Sequence, residues 1–461
     1  MLKIFNTMSR KKEIFAANAE VGIYFCGPTV YDFAHIGNFR SYIFSDLLRR
    51  YLEYKNFAVK MIMNITDIDD KTIKGAQSSR MPLKEFTEKY ENAFFDDIKA
   101  LRIKPADFYP RATEHINEMA EIIRKLLEKG YAYVGEDGSV YYKISEFKDY
   151  GKLSKLKISK LKEGARVSSD EYEKEEARDF ALWKAWSEGD GEVKWQPEGL
   201  PKGRPGWHIE CSAMSQKHLE SIDIHGGGVD LIFPHHENEI AQSTPAGGKN
   251  IKYWLHCEHL LVDGKKMSKS LGNFFTLRDL LDKGYDPVAI RFLLLSAHYR
   301  SQMNFTFDAL KSAKKTVDSI NDFVDKIKTC KAKSKENEEL MLLADEAREK
   351  FEQAMDDDLN VPAALAAVFD MMRIVNREMD EGRADAESLE KIHILLTDIN
   401  KILDIFYEKK ELTNEEKELI EEREQLRKKK KFREADEIRK QLQSRGVYLE
   451  DSSDGVRWKK V

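Results

Sequence analysis

An apolar, strand-like run through Tyr24-Phe25-Cys26 stops at Gly27-Pro28, and over 39–55 apolar and charged residues recur at helical spacing. Residues 58–66 (AVKMIMNIT) return to a continuous apolar run, the pattern of a buried strand. Strand, helix and strand make a βαβ unit. Its turn and helix start suit a nucleotide, because the free N–H groups and positive dipole end of a helix attract phosphate.

The pattern over 82–130 is helical, and 131–143 (YAYVGEDGSVYYK) reads as a hairpin with Asp-Gly at its turn. A charged, irregular insertion over 145–179 follows, with 180–195 leading back towards the sheet. After the turn-rich loop Lys202-Gly203-Arg204-Pro205-Gly206, helical spacing resumes at Trp207. Asp223 to Asp230 is a short strand running into a glycine turn, and a helix starts near Pro234. Residues 253–262 (YWLHCEHLLV) read as one buried strand, followed by a polar, glycine-flanked loop over 264–273. Beyond Thr276 the chain is almost wholly helical, with amphipathic segments near 308–330, 336–356, 361–380 and 387–408 that fit a bundle. A charged helix over 423–445 carries Lys428-Lys429-Lys430-Lys431 and an apolar face of Phe432, Ala435, Ile438 and Leu442.

Composition narrows the partners. The 461 residues carry 76 Lys+Arg against 81 Asp+Glu, so a polyanion must meet local basic patches rather than a uniformly basic surface. Residues 1–20 lack the apolar stretch of a signal peptide, and no run approaches a membrane span. Four widely spread cysteines argue for a reducing cytoplasm over a disulfide framework.

Three constellations carry candidate chemistry. His235 and Glu239 stand four apart on a predicted helix, so they share a face; His236 is three from Glu239, and spacing alone does not choose between them. Cys26 ends the first strand and Cys211 lies on a helix entering the second half of the sheet, where such ends converge. Two thiolates, an imidazole and a carboxylate make a zinc set by ligand type. Thr66 sits at the C-terminal edge of the second strand, beside Asp67, Asp69 and Asp70, which read as a solvated turn or helix cap. Lys266 and Lys269, flanked by Ser268 and Ser270, suit a polyphosphate, with His35 and Asn38 facing it from the other half. Together they would neutralise charge on a departing pyrophosphate.

His35-Ile36-Gly37-Asn38 resembles the HIGH signature, and Lys266-Met267-Ser268-Lys269-Ser270 matches KMSKS, the two signatures of class I aminoacyl-tRNA synthetases. CGPTVYD at 26–32, GWHIECSAM at 206–214, DIHGGG at 223–228 and FPHHENEIAQS at 233–243 resemble the cysteinyl-tRNA synthetases within that class. The resemblance implies one zinc per subunit held by Cys26, Cys211, His235 and Glu239. It places ATP, with Mg²⁺, on Thr29, His35, Gly37, Asn38, Asp230, Lys266, Ser268 and Lys269, with His225 near the adenylate. It places L-cysteine on Gly27, Thr66 and Trp207, and makes His35, Asn38, Lys266 and Lys269 the catalytic residues. Arg433, Arg457 and Trp458 are candidates for contacts with tRNA(Cys). The expected protein is a cytoplasmic monomer without an editing domain.

The implied fold is α/β, a Rossmann-type parallel sheet split by an insertion, then a helical bundle and a small C-terminal domain. Its parts are the first Rossmann half at 1–117, a connective insertion at 118–205 and the second half with the lysine loop at 206–275. A stem-contact linker at 276–310, an anticodon-binding bundle at 311–410 and a tRNA-recognition domain at 411–461 complete it. One departure stands out: Asn38 replaces the last histidine of the first signature, keeping a donor but no charge. The rival readings are a ligase that passes activated cysteine to a small amine, and a catalytically inactive tRNA-binding zinc protein.

Overall fold

The computed structural model describes residues 1–17, 20–155, 166–167, 179–268, 271–330, 337–407, 412–429, 431–452 and 455–460. They form two compact units, Met1–Asp404 and Ile405–Val461.

The core of the first unit is a four-stranded parallel sheet in the order Ile251–Cys257, Ile222–Gly228, Glu20–Phe25, Ala58–Met63. The two central strands come from the two halves of the sequence and pair Ile224 with Ile23 and Gly226 with Phe25. Gly226 is required there: an added Cβ would stand 2.4 Å from the Phe25 ring. The expected helix runs over Ile36–Tyr54 and buries Ile36, Phe39, Ile43, Phe44, Leu47 and Leu48. It connects the two parallel strands Glu20–Phe25 and Ala58–Met63, so its N-terminus opens near the C-terminal edge of the sheet.

The helical stretch over 82–130 resolves into two helices, Leu83–Ala100 and Ile116–Glu128. The hairpin pairs Ala132–Val134 with Val140–Tyr142, with Gly138 at φ 78° in its turn. The strand Asp179–Ala185 joins that hairpin, not the central sheet, and carries Gly203–Pro205 on its other side. Most of the charged stretch over 145–179 lies outside the described residues.

Residues 253–262 are two strands rather than one. Ile251–Cys257 belongs to the central sheet, whereas Leu260–Val262 pairs with Lys265–Lys266 and Met303–Phe305. The chain leaves the sheet at Glu258-His259 because distant groups take its backbone there. Glu258 N donates to Tyr299 O at 2.7 Å, and the Arg40 guanidinium donates to His259 O at 2.8 Å.

The four bundle helices span Phe307–Thr329, Glu338–Asp356, Val361–Asp380 and Ala386–Leu403. Buried Arg291, in the helix Pro287–Leu295, pairs with buried Asp46 of the Ile36–Tyr54 helix. It also donates to Leu403 O at 2.7 Å and Leu101 O at 3.1 Å, tying bundle and sheet together.

In the second unit, Asn414–Lys428 and Phe432–Ser444 are separate helices followed by the hairpin Val447–Ser452 and Gly455–Lys460. The expectation of one helix over 423–445 is thus corrected. A continuous helix would hold Ile420 and Ile438 about 27 Å apart at 1.5 Å per residue. Folding back at the lysines puts both in one apolar core with Leu442, Val447 and Leu449.

Candidate active site and metal cluster

The site grows from the sheet edge. Cys26 N donates to Gly226 O at 3.2 Å, and the next residues zip onto the neighbouring strand end, with Thr66 N to Pro28 O at 3.0 Å and Val30 N to Thr66 O at 3.1 Å. Gly27 lies so close to that strand that a Cβ would stand 1.8 Å from Asn64 O.

His35 is the N-cap of the Ile36–Tyr54 helix. Its Nδ1 accepts from Asn38 N at 3.1 Å, while Asn38 Oδ1 accepts from His35 N at 3.1 Å. The first signature is therefore a reciprocal capping box, which fixes both side chains at the positive end of a helix. The lysine loop is drawn to this point: Ile36 N donates to Phe275 O at 3.0 Å, and the His35 and Phe274 rings meet edge to face at 5.2 Å. Asn273 closes the loop, accepting from Ser268 N at 2.9 Å and donating to Lys266 O at 3.1 Å. Lys269 and Ser270 lie outside the described residues.

A cavity of about 370 Å³ is lined by Gly27, Thr29, His35, Gly37, Asn38, Trp207, Asp230 and Lys266, together with Cys26. The structure so gathers the residues expected for nucleotide and amino acid around one space. Three expected residues are not on its wall: Ser268, Thr66 and His225. Thr66 is buried behind it, donating to Glu210. His225 is fully buried, 2.9 Å from Glu239 Oε2 and stacked on Trp254 at 4.7 Å, so its expected place near an adenylate is corrected to one beneath the metal cluster.

Of the aspartates after Thr66, Asp69 is the helix cap foreseen, accepting from Thr72 N at 2.7 Å. Asp67 is not solvated: it is buried and accepts from Thr113 N at 2.9 Å.

The cysteines converge as expected. Cys26 and Cys211 are free thiols with their Sγ atoms 3.9 Å apart. His235 Nε2 lies 3.4 Å from Cys211 Sγ and 3.1 Å from Glu239 Oε1. Ligands arranged tetrahedrally at zinc–sulfur distances of about 2.3 Å stand about 3.8 Å apart, so this set fits zinc. Glu239 Oε1 is buried and faces His235 Nε2 at 3.1 Å and His236 Nε2 at 3.9 Å, so it lies among the other donors of the set.

A second set, Cys26, His225, His236 and Glu239, overlaps the first. Both imidazoles are held alike: His235 Nδ1 faces His208 Nδ1 at 2.9 Å and His236 Nδ1 faces His256 Nε2 at 2.8 Å, which leaves Nε2 of each towards a thiol. What favours His235 is that its set holds two thiols. In the rival set His225 is already engaged by Glu239, and a single sulfur remains.

Charge follows burial here. Burial pushes the Cys26 thiol up to about 11 and the Cys211 thiol well above its ordinary value. Burial alone would lower His235, but Cys211 and Glu239 outweigh it and hold the imidazole at about 10. Glu239, which burial alone would raise, is held at about 2 by His225 and His235. A divalent cation would replace those protons.

Sequence reasoning missed His208, His256 and Glu210. His256 stands 2.8 Å from both His236 Nδ1 and Thr7 Oγ1, and it holds the rival imidazole with its Nε2 3.3 Å from Cys26 Sγ. His208 was within reach, since it stands three residues before Cys211 on a helix.

A family model for the class I (C) tRNA synthetase catalytic domain matches residues 13–315. The chain belongs to the cysteine–tRNA ligase family. A DALR domain matches residues 350–407, and a cysteinyl-tRNA ligase anticodon binding domain matches 409–458. A cysteine–tRNA ligase of Brachyspira hyodysenteriae is 50% identical over 472 residues, covering 99% of this chain and 98% of that protein. One of Thermococcus gammatolerans is 47% identical over 483 residues, covering 100% and 99%. The methionyl-adenylate-bound methionyl-tRNA synthetase of Mycobacterium tuberculosis shares the fold, with a TM-score of 0.61 at 14% identity over 84% of this chain and 90% of that one.

The expected tRNA residues of this family member lie in the second unit. Arg433 is exposed in the Phe432–Ser444 helix, Trp458 packs against that unit's apolar core, and the Arg457 side chain lies outside the described residues.

Proposed function

We propose that the chain activates L-cysteine with ATP and transfers it to the 3′-terminal ribose of tRNA(Cys). The observation that carries this is the single cavity in which a helix start (His35, Gly37, Asn38), the lysine loop (Lys266) and a thiol of the metal cluster (Cys26) meet. In the first step the cysteine carboxylate attacks the α-phosphorus of ATP and pyrophosphate leaves with Mg²⁺. His35 and Asn38, at the positive helix end, stabilise the phosphates in flight, and Gly37 admits them close to the main chain. Lys266, Ser268 and Lys269 neutralise the departing pyrophosphate, while Thr29 and Asp230 bound the nucleotide. In the second step a ribose hydroxyl, the 2′-OH by class I analogy, attacks the adenylate carbonyl carbon and AMP leaves. The acyl group is already activated, so positioning supplies most of the rate.

Gly27 and Trp207 bound the amino-acid end, with the Trp207 ring 4.4 Å from that of His235. Cys26, Cys211, His235 and Glu239 would hold zinc, which when bound supplies a soft Lewis acid that favours a thiol over serine's hydroxyl. About ten-thousandfold selection needs about 5.5 kcal/mol, within reach of one metal–sulfur contact. The matched anticodon domain supports tRNA, rather than a small amine, as acceptor. We assign the protein to the cytoplasm as a monomer; buried free thiols fit a reducing compartment.

The test is ATP–pyrophosphate exchange with cysteine and with serine, on zinc-loaded and chelator-stripped protein, followed by charging of tRNA(Cys). Exchange with cysteine alone, abolished by stripping, is the expected result. Absence of exchange from zinc-loaded protein would overturn the reading in favour of an inactive zinc protein.

A further inference from the structure

Thr66 is buried behind the cavity and is hydrogen-bonded on both sides. Its Oγ accepts from Asn64 Nδ2 at 3.1 Å and donates to Glu210. Asn64 Oδ1 in turn accepts from Gly27 N at 2.9 Å. Gly27 and Glu210 are the immediate neighbours of Cys26 and Cys211. Asn64, Thr66 and Glu210 are 1%, 2% and 1% exposed, so solvent cannot substitute for a lost partner.

We infer that Asn64, Thr66 and Glu210 form a buried positioning relay that sets the spacing of the two cysteine ligands. Each end of the relay grips the residue beside a thiol. Its middle is one hydroxyl, which accepts from an amide and donates to a carboxyl oxygen at the same atom. The Thr66 backbone is bonded to both Pro28 and Val30, on the segment that follows Cys26. Removing the hydroxyl would take from the buried Asn64 Nδ2 and the buried Glu210 carboxyl the partner each has in Thr66. Separation of the two segments relieves that cost, and it moves the thiols apart. A metal site tolerates only about 0.5 Å of such movement.

The inference rests on the zinc reading above, and zinc affinity tests it directly. Thr66→Val preserves shape and deletes both hydrogen bonds; Thr66→Ser keeps the hydroxyl. Zinc affinity, measured by competition with a chromophoric chelator, should fall about 10- to 100-fold in T66V and be largely restored in T66S. In exchange assays T66V should raise the KM for cysteine and leave that for ATP unchanged, and saturating zinc should reverse the defect. A T66V protein that holds zinc as tightly as wild type, or whose cysteine KM stays high at saturating zinc, overturns the relay and returns Thr66 to the substrate pocket. Wild-type protein that binds no zinc would instead sink the metal reading, and the relay with it. If T66V does not fold, Glu210→Leu takes its place: it removes the acceptor end, and undiminished zinc affinity there overturns the relay equally.

Discussion

Asn38 carries two tasks that its side chain divides between two atoms. Its Oδ1 caps the helix by accepting from His35 N, and its NH₂ group remains for a phosphate oxygen. His35 also caps, through Nδ1, and contributes its ring to the cavity. Asn38→Asp should therefore keep the cap and lose the donor, whereas Asn38→Ala loses both. We expect the adenylation rate to fall about 10²- to 10³-fold in His35→Ala, as for loss of a transition-state donor, and less in either Asn38 variant. Asn38→Ala should in addition lose about 1 kcal/mol of stability that Asn38→Asp retains. Stopped-flow adenylation and urea unfolding measure the two effects, and equal rate losses at positions 35 and 38 would refute the division. At this scale the chemistry was legible because ligand type is written in the residue: two thiols, an imidazole and a carboxylate suit zinc wherever the fold joins them. The choice between His235 and His236 was not legible. Both lie on the right helix face, and each has its other ring nitrogen held by a histidine, His208 or His256; what separates them is that the set of His235 gathers two thiols, which only the tertiary structure supplies.

Elements were readable where their pattern is local and obscure where distant groups decide. The helix over Ile36–Tyr54 and the bundle helices follow from apolar periodicity alone. The break at Glu258-His259 does not, because hydropathy runs on through it and the cause is Arg40 and Tyr299. The insertion shows the same dependence on remote partners. Asp70, in the first turn of the Asp70–Ser79 helix, pairs with Lys184 and Arg204 of the sheet around Asp179–Ala185, and Arg204 also holds Asp190. Burial alone would raise the Asp70 pKa, but Lys184 and Arg204 outweigh it and hold the carboxyl below the ordinary value of about 4. A depressed folded-state value stabilises fully above the unfolded pKa and ceases as pH falls through the folded one. The Asp70 side chain is half exposed, so the effect is on the order of 1 kcal/mol after screening. Asp70→Asn should accordingly be less stable than wild type at pH 7 and indistinguishable from it well below pH 4. Urea unfolding at both pH values decides this, and an equal gap at the two would show that packing, not charge, is responsible.

For the whole molecule, the division of labour follows the division into compact units. Every described residue lining the cavity, and all four members of the favoured metal set, belong to Met1–Asp404. That unit also closes on itself: buried Arg291 joins Asp46 of the signature helix to Leu403 at the end of the bundle. Residues Ile405–Val461 have their own apolar core of Leu412, Ile420, Ile438, Leu442, Val447 and Leu449. Lys428, Lys429 and Lys431, expected on one charged helix, instead stand where the first helix ends and the second begins. If this unit serves tRNA and not the chemistry, a chain ending at Asp404 should catalyse cysteine-dependent ATP–pyrophosphate exchange at the full-length rate. Its kcat/KM for charging tRNA(Cys) should fall, since each lost base stack is worth ~1–3 kcal/mol, about 5- to 150-fold. The loss should appear mainly in KM for tRNA, because the removed surface binds without touching the reacting atoms. Exchange that declines in step with charging would mean that the second unit supports the catalytic fold itself, and a charging rate unaffected by its removal would mean that tRNA is selected wholly within the first 404 residues.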